Sequence, residues 1–155
     1  MSDPQSDPAG AAPPAPGAVR LVFEIADGEV RLVSRQAVDV VVPDVDPVTG
    51  YEGEQGFWVE TRTADGRTMH RRVLPDPFAA DVEVFSADPG GSIARVPDTE
   101  PSRLMTVLVP ASDAADHVAL FSSAARSTGG PAAMTAAEQA PAVEIARFAL
   151  REGTR

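Results

Sequence analysis

The amino-acid sequence predicts an all-β fold, an antiparallel β-sandwich of about 7–9 strands. Three observations point there. From Ala18 onward apolar residues recur with period two, the apolar runs are short, and Gly, Pro, Asp and Ser separate them at close intervals. The connections are too short to hold crossover helices, which argues against a parallel sheet.

Residues 1–17, MSDPQSDPAGAAPPAPG, carry almost nothing large and apolar. Such a segment cannot recover its ordering entropy by burial. It is expected to be a disordered Pro/Ala-rich spacer whose removal changes the melting temperature little. The sandwich is expected over residues 18–123. Val19, Leu21, Phe23 and Ile25 share one face of an extended segment, with Arg20 and Glu24 on the other. Asp27-Gly28 marks a tight turn, and the return strand places Val30 and Leu32 together. A third, Val-rich and more central strand is expected over Ala37–Val42, ended by Pro43.

An acidic loop, Pro43–Gln55, leads to a strand over Phe57–Arg62. Thr63-Ala64-Asp65-Gly66 is a second hairpin signal before Arg67–Val73. Pro75 and Pro77 break the chain before a strand over Asp81–Phe85, and Ile93–Val96 follows a Gly-Gly turn. Leu104–Val109 is almost wholly apolar, with Leu108 expected in the core, and His117–Phe121 is the last expected strand. Residues 124–155 read as a linker followed by a short helix or docked segment. Ala132–Ala140 has helical propensity, which Pro141 interrupts. In Val143–Leu150 a helix would cluster Ile145, Phe148 and Ala149, whereas a strand would align Val143, Ile145 and Arg147.

Composition narrows the function classes. A formal net charge of −10 and a pI near 4.5 argue against nucleic acid and anionic membranes as partners, since both attract basic patches. Every Lys/Arg position is Arg, a pattern that high-GC coding produces. Without Cys there is no disulfide framework, thiolate zinc site or thiol nucleophile. The N-terminus lacks the basic and apolar regions of a secretory signal, and no run approaches the roughly 20 apolar residues of a membrane span. A cytoplasmic location is expected.

Candidate chemistry is sparse. In the acidic loop Asp44, Asp46, Glu52 and Glu54 offer oxygens of the kind calcium prefers. Pro47 and Val48 stand where an EF-hand needs further ligands, so a solvated loop is the preferred reading. His70 and His117 are too few for a three-His zinc centre, lie outside any HExxH spacing, and are expected on strand surfaces. No G-x-S-x-G elbow is present, and Gly90-Gly91-Ser92 lacks the Lys and helix of a phosphate loop. No catalytic residue, cofactor or metal is therefore assigned.

The more suggestive grouping places Tyr51, Phe57 and Trp58 near Arg62, Arg67, Arg71 and Arg72. Phe57 and Trp58 must point to opposite faces of their strand. An outward Trp58 flanked by Arg62, Arg67, Arg71 and Arg72 would make an interaction patch, because Trp and Arg dominate binding hot spots. The competing reading makes Trp58 the central core aromatic of the sandwich and the arginines a wet strand face.

The stretch Gly56-Phe57-Trp58-Val59-Glu60-Thr61-Arg62, followed by Asp65-Gly66-Arg67-Thr68-Met69-His70-Arg71-Arg72, resembles a recurrent bacterial sandwich hairpin. It is similar to the N-terminal sandwich domain of IgA-peptidase-type metallopeptidases over residues 51–121. The zinc motif of those enzymes has no counterpart, so the resemblance implies an accessory domain without the enzyme. Immunoglobulin-like and fibronectin-type modules match the strand count equally, and fold likeness carries no function. The expected function is a non-enzymatic module that binds another protein through a sheet edge or the Trp/Arg-bearing face. A calcium- or carbohydrate-binding sandwich is the first alternative. An enzyme of unrecognised type centred on His70 or His117 is the second.

Overall fold

The computed structural model describes residues 17–42, 46–78, 81–84, 94–97, 102–123 and 140–151. Its strands are β1 (Ala18–Ala26), β2 (Glu29–Val38), β3 (Phe57–Arg62), β4 (Thr68–Leu74), β5 (Asp81–Val84), β6 (Ala94–Pro97), β7 (Ser102–Pro110), β8 (His117–Ser122) and β9 (Val143–Ala149). Among the described residues there is no helix. The chain is all-β, as its period-two patterning predicts.

Asp27 and Gly28 both adopt positive φ, 54° and 76°. A two-residue hairpin loop demands that conformation, and it folds β2 back on β1. β7 pairs with the other flank of β1, giving a three-stranded sheet in the order β2-β1-β7. The β3–β4 hairpin and the β8–β9 pair join through β3 and β8 into a four-stranded sheet, β4-β3-β8-β9. β5 and β6 form a separate antiparallel ribbon.

The two larger sheets pack face to face. Leu21 and Phe23 of β1 and Val107 and Val109 of β7 meet Phe57 and Val59 of β3 and Val118 and Leu120 of β8 in one buried cluster. Alternation along each strand selects these residues, since every second side chain faces the opposite sheet. Aromatic rings close the flanks of this core. Phe148 of β9 lies 5.6 Å from Phe23, and Phe78 lies edge-on to Phe57 at 6.3 Å.

Two expectations about the strands need correction, and one open alternative is resolved. No separate strand covers Ala37–Val42: Ala37 and Val38 end β2, and residues 39–42 lie outside any strand. Val33-Ser34-Arg35-Gln36 contains no Gly, Pro, Asn or Asp to turn the chain, and Ser34 alone does not, so pairing with β1 continues to Ala18↔Val38. A bulge between Val22 and Phe23 absorbs Val33, and β2 is an outer strand of its sheet rather than a central one. Of the short helix and the docked segment both left open for residues 143–150, the structure takes the second: Val143–Ala149 is a strand paired with β8. β8 is almost wholly buried, and its backbone groups require a partner on each flank. β9 supplies one, from His117↔Ala149 to Ser122↔Val143.

The other correction is that Leu108 is not a core residue. It stands opposite Arg20 on the outer face of its sheet and is only partly buried, while its neighbours Val107 and Val109 fill the core. Residues 1–16, Pro43, Asp44, Phe85, Ile93 and the helix expected over residues 132–139 lie outside the described residues.

Candidate functional site

The outer face of the four-stranded sheet, away from the core, carries an ordered polar and aromatic cluster. Trp58, Glu60 and Arg62 alternate along β3 and share this face. Arg71 stands opposite Glu60 on β4, and Phe121 stands opposite Trp58 on β8. The sheet register therefore assembles the group without any loop.

Glu60 is its centre and is only 1% exposed. Its Oε1 accepts from Trp58 Nε1 at 3.0 Å and Arg71 Nε at 2.7 Å, and Arg71 Nη2 forms a further short contact. Its Oε2 accepts from Arg62 Nε at 2.7 Å and from the Thr68 hydroxyl at 3.0 Å, with Arg62 Nη2 at 2.6 Å. Burial is the largest single influence on this carboxyl and opposes ionisation. Hydrogen bonds from Arg71 and Arg62, the Arg62 charge and the Thr68 hydroxyl together outweigh it, and the carboxyl sits below its ordinary range.

Aromatic rings hold the arginines in place. The Trp58 and Phe121 rings stack, 5.5 Å apart and 10° from parallel, and Arg62 lies 4.9 Å from the Phe121 centroid. Arg71 lies 4.0 Å from the Tyr51 centroid and 6.0 Å from that of Trp58. Tyr51 meets Trp58 edge-on at 5.3 Å, and Arg71 Nη1 donates to the Pro47 carbonyl at 2.6 Å. The loop before β3 thus lies over the cluster, and Trp58 is only 3% exposed.

On the β9 side the charges continue to alternate. Glu144 takes two hydrogen bonds from Arg147, at 2.8 and 3.0 Å, and stands 3.8 Å from Arg62. The Arg147 hydrogen bonds chiefly hold the Glu144 carboxyl below its ordinary range.

Of the residues expected in a patch, Trp58, Arg62 and Arg71 converge on Glu60. Arg72 does not: it stands opposite Val59 on the other face of β4, as alternation with Arg71 requires. Arg67 is exposed at the β3–β4 turn, where Thr63 N–H donates to its carbonyl at 3.0 Å. Glu60, Thr68 and Phe121 are the members that patterning overlooked. Trp58-x-Glu60-x-Arg62 carried the signal, since period two sets the carboxylate between the indole and the guanidinium.

The remaining candidates sit apart. Asp46 Oδ2 accepts from Val73 N–H at 2.8 Å, while Glu52 and Glu54 are exposed and Asp44 lies outside the described residues. Among the described residues no group of three or more His, Asp or Glu side chains could hold a metal ion. Both histidines, expected on strand surfaces, are buried. His117 Nδ1 lies 2.9 Å from Asp116 Oδ2, and its Nε2 has no hydrogen-bond partner. His70 stands opposite Thr61 on the core side of β4, is 2% exposed, and has no hydrogen-bond partner at either ring nitrogen. Burial first, and the Arg72 charge second, lower its pKa, with Asp46 acting in the opposite sense.

Chemically the cluster is closed. A carboxylate has about four acceptor positions, and the donors around Glu60 occupy them. Held ionised, it has neither a proton to donate nor an exposed lone pair with which to take one. Trp58 has committed its only donor. No family model matches this chain, and neither do the curated proteins or the solved structures.

Proposed function

We propose that this chain is a non-enzymatic interaction module that binds another protein by adding a strand at a sheet edge. The observation that carries the reading is the burial of Trp58, 3% exposed with its indole N–H bonded to Glu60. A partner must move the covering loop to reach that face, whereas at the outer strands β2 and β9 it meets a side-chain hydrogen bond between them, from Arg35 Nη1 to the Ala149 carbonyl at 3.1 Å. β2 and β9 are outer strands of their sheets. Each bears an exposed apolar side chain, Val33 at 48% and Val143 at 61%. Backbone pairing beside an apolar anchor is how strand addition combines affinity with specificity.

The same proposal takes the sandwich as immunoglobulin-like, on its three- and four-stranded antiparallel sheets, and places it in the cytoplasm. Kinship with a metallopeptidase accessory domain belongs to this reading, because such a domain is a sandwich without the zinc motif. Among the described residues no helix is long and apolar enough to cross a membrane.

The test is affinity purification of the full chain from its native host, repeated with Val33→Asp and Val143→Asp. Both sites are exposed, so both variants should melt like the wild type. A partner retained in stoichiometric amount and lost with one of the two variants supports the proposal. A chain that recovers no partner, or recovers one equally well with both variants, overturns it.

A further inference from the structure

The loop Asp46–Gly56 touches the Trp58 face in the manner of a bound peptide. Its Tyr51 ring lies under the Arg71 guanidinium and edge-on to Trp58. Four residues earlier, the Pro47 carbonyl accepts from Arg71 Nη1. Glu52 and Glu54 follow on the same strap and are exposed.

Two observations distinguish this strap from a permanent part of the core. First, the platform beneath it is complete without it. Every donor to Glu60 comes from Trp58, Arg62, Thr68 or Arg71, all within the β3–β4 hairpin. Lifting the strap removes a carbonyl and a ring from Arg71 but leaves no buried charge unpaired. Second, the strap is held mainly at its ends. Asp46 exchanges hydrogen bonds with β4, through Arg71 O at 3.2 Å and Val73 N–H at 2.8 Å. Gly56 bonds to Ser123, and the Glu54 carbonyl accepts from Ala142 N–H at 2.8 Å. Between these anchors only Tyr51 is inserted, and its neighbours from Pro47 to Gln55 are exposed. Gly50 and Gly53, at φ 80° and 83° with open space where a Cβ would stand, turn the strap by local conformation rather than by packing.

We infer that the Trp58–Arg71 face is a second binding surface, for an aromatic side chain on an extended segment of a partner protein, and that Tyr51 occupies it in cis. The strap is then an autoinhibitory contact. A partner presenting a ring and a carbonyl about four residues before it competes with Tyr51 and Pro47 for the same atoms. The apparent affinity in trans is reduced by the fraction of molecules in which the strap is lifted.

The chain carries a single tryptophan, so Trp58 fluorescence reports this face alone. In the full-length Tyr51→Ala variant, acrylamide should quench Trp58 several-fold more strongly than in the wild type. A synthetic peptide of residues 46–56 should restore protection, binding the variant about tenfold or more tightly than it binds the wild type, as expected for a minor open state. Tyr51→Phe keeps the ring and should behave like the wild type, and a peptide with Ala in place of Tyr51 should not bind. Equal quenching in the variant and wild type, or binding that ignores the tyrosine, overturns the inference. Hydrogen exchange on the unmodified chain covers the case in which Tyr51→Ala does not fold. The Asp46 and Val73 amides should exchange by a local opening, well ahead of the β3–β8 ladder. If they exchange only with global unfolding, the strap is integral and the inference fails.

Discussion

At the scale of single residues, the cost of burying charge makes Glu60, 1% exposed and bonded to two arginines, a sensitive position. Neutralising it as Glu60→Gln keeps the shape but leaves buried Arg71 without its counter-charge. Breaking a buried pair from one side costs about 3–5 kcal/mol, and denaturant unfolding should find a loss of that order. Arg67→Ala, at an exposed turn, should change stability by no more than about 0.5 kcal/mol. His70 makes a second prediction, about pH. Its folded-state pKa lies below the ordinary 6.5, chiefly because of burial. Below about pH 6.5 the unfolded chain therefore binds a proton that the folded chain does not, and stability falls as pH falls through that region. The melting temperature should drop between about pH 7.5 and 5.5. In His70→Leu that slope should flatten, and an unchanged slope would remove His70 as its cause. Sequence patterning separates Phe57 from Trp58, because alternation assigns faces, whereas the expected patch grouped Arg71 with Arg72, which the same alternation places on opposite faces. Patterning could not show that both histidines are buried, since an imidazole with one apolar and one charged neighbour, as in Met69-His70-Arg71 and Asp116-His117-Val118, reads the same on either face.

At the scale of elements, alternation was legible wherever polar residues marked it and was lost wherever they did not. β1 has Arg20 and Glu24 as markers, and its inner face matches the pattern. β7 reads Arg-Leu-Met-Thr-Val-Leu-Val from Arg103, and its two polar markers, Arg103 and Thr106, fall on opposite faces, so patterning puts Leu108 on the wrong one. A pair of substitutions makes the point measurable. Val107→Asp puts an unpaired charge into the intersheet core and should abolish cooperative folding, whereas Leu108→Asp, opposite Arg20, should leave a folded protein. Circular dichroism melts of the two variants distinguish them. The other element-scale differences arise from pairing that no local window contains. β2 runs on past its expected end because β1 offers nine residues to pair with, and β9 is extended because β8 needs a flank. Val143–Leu150 suited either conformation, and a distant neighbour decided it.

At the scale of the whole molecule, a net charge of −10 opposes compaction. Moderate salt should therefore raise the melting temperature at neutral pH, since screening acts on the exposed carboxylates more than on the buried Glu60 pairs. A fall with salt instead would mean that ion pairs outweigh self-repulsion. Acid relieves the same repulsion only once carboxylates begin to titrate, well below the window in which His70 acts, so the two effects can be told apart. The arrangement of the strands also has a temporal side. β1 is completed on one flank by β7, with Ala18 opposite Pro110 and Ala26 opposite Ser102. During synthesis at about 5–20 residues per second, β1 leaves the ribosome several seconds before that partner exists. The early hairpin must wait, with Leu21 and Phe23 uncovered, and β9 arrives later still. For a nascent chain this is a period of vulnerability to aggregation, set by the order of the strands rather than by the stability of the finished sandwich.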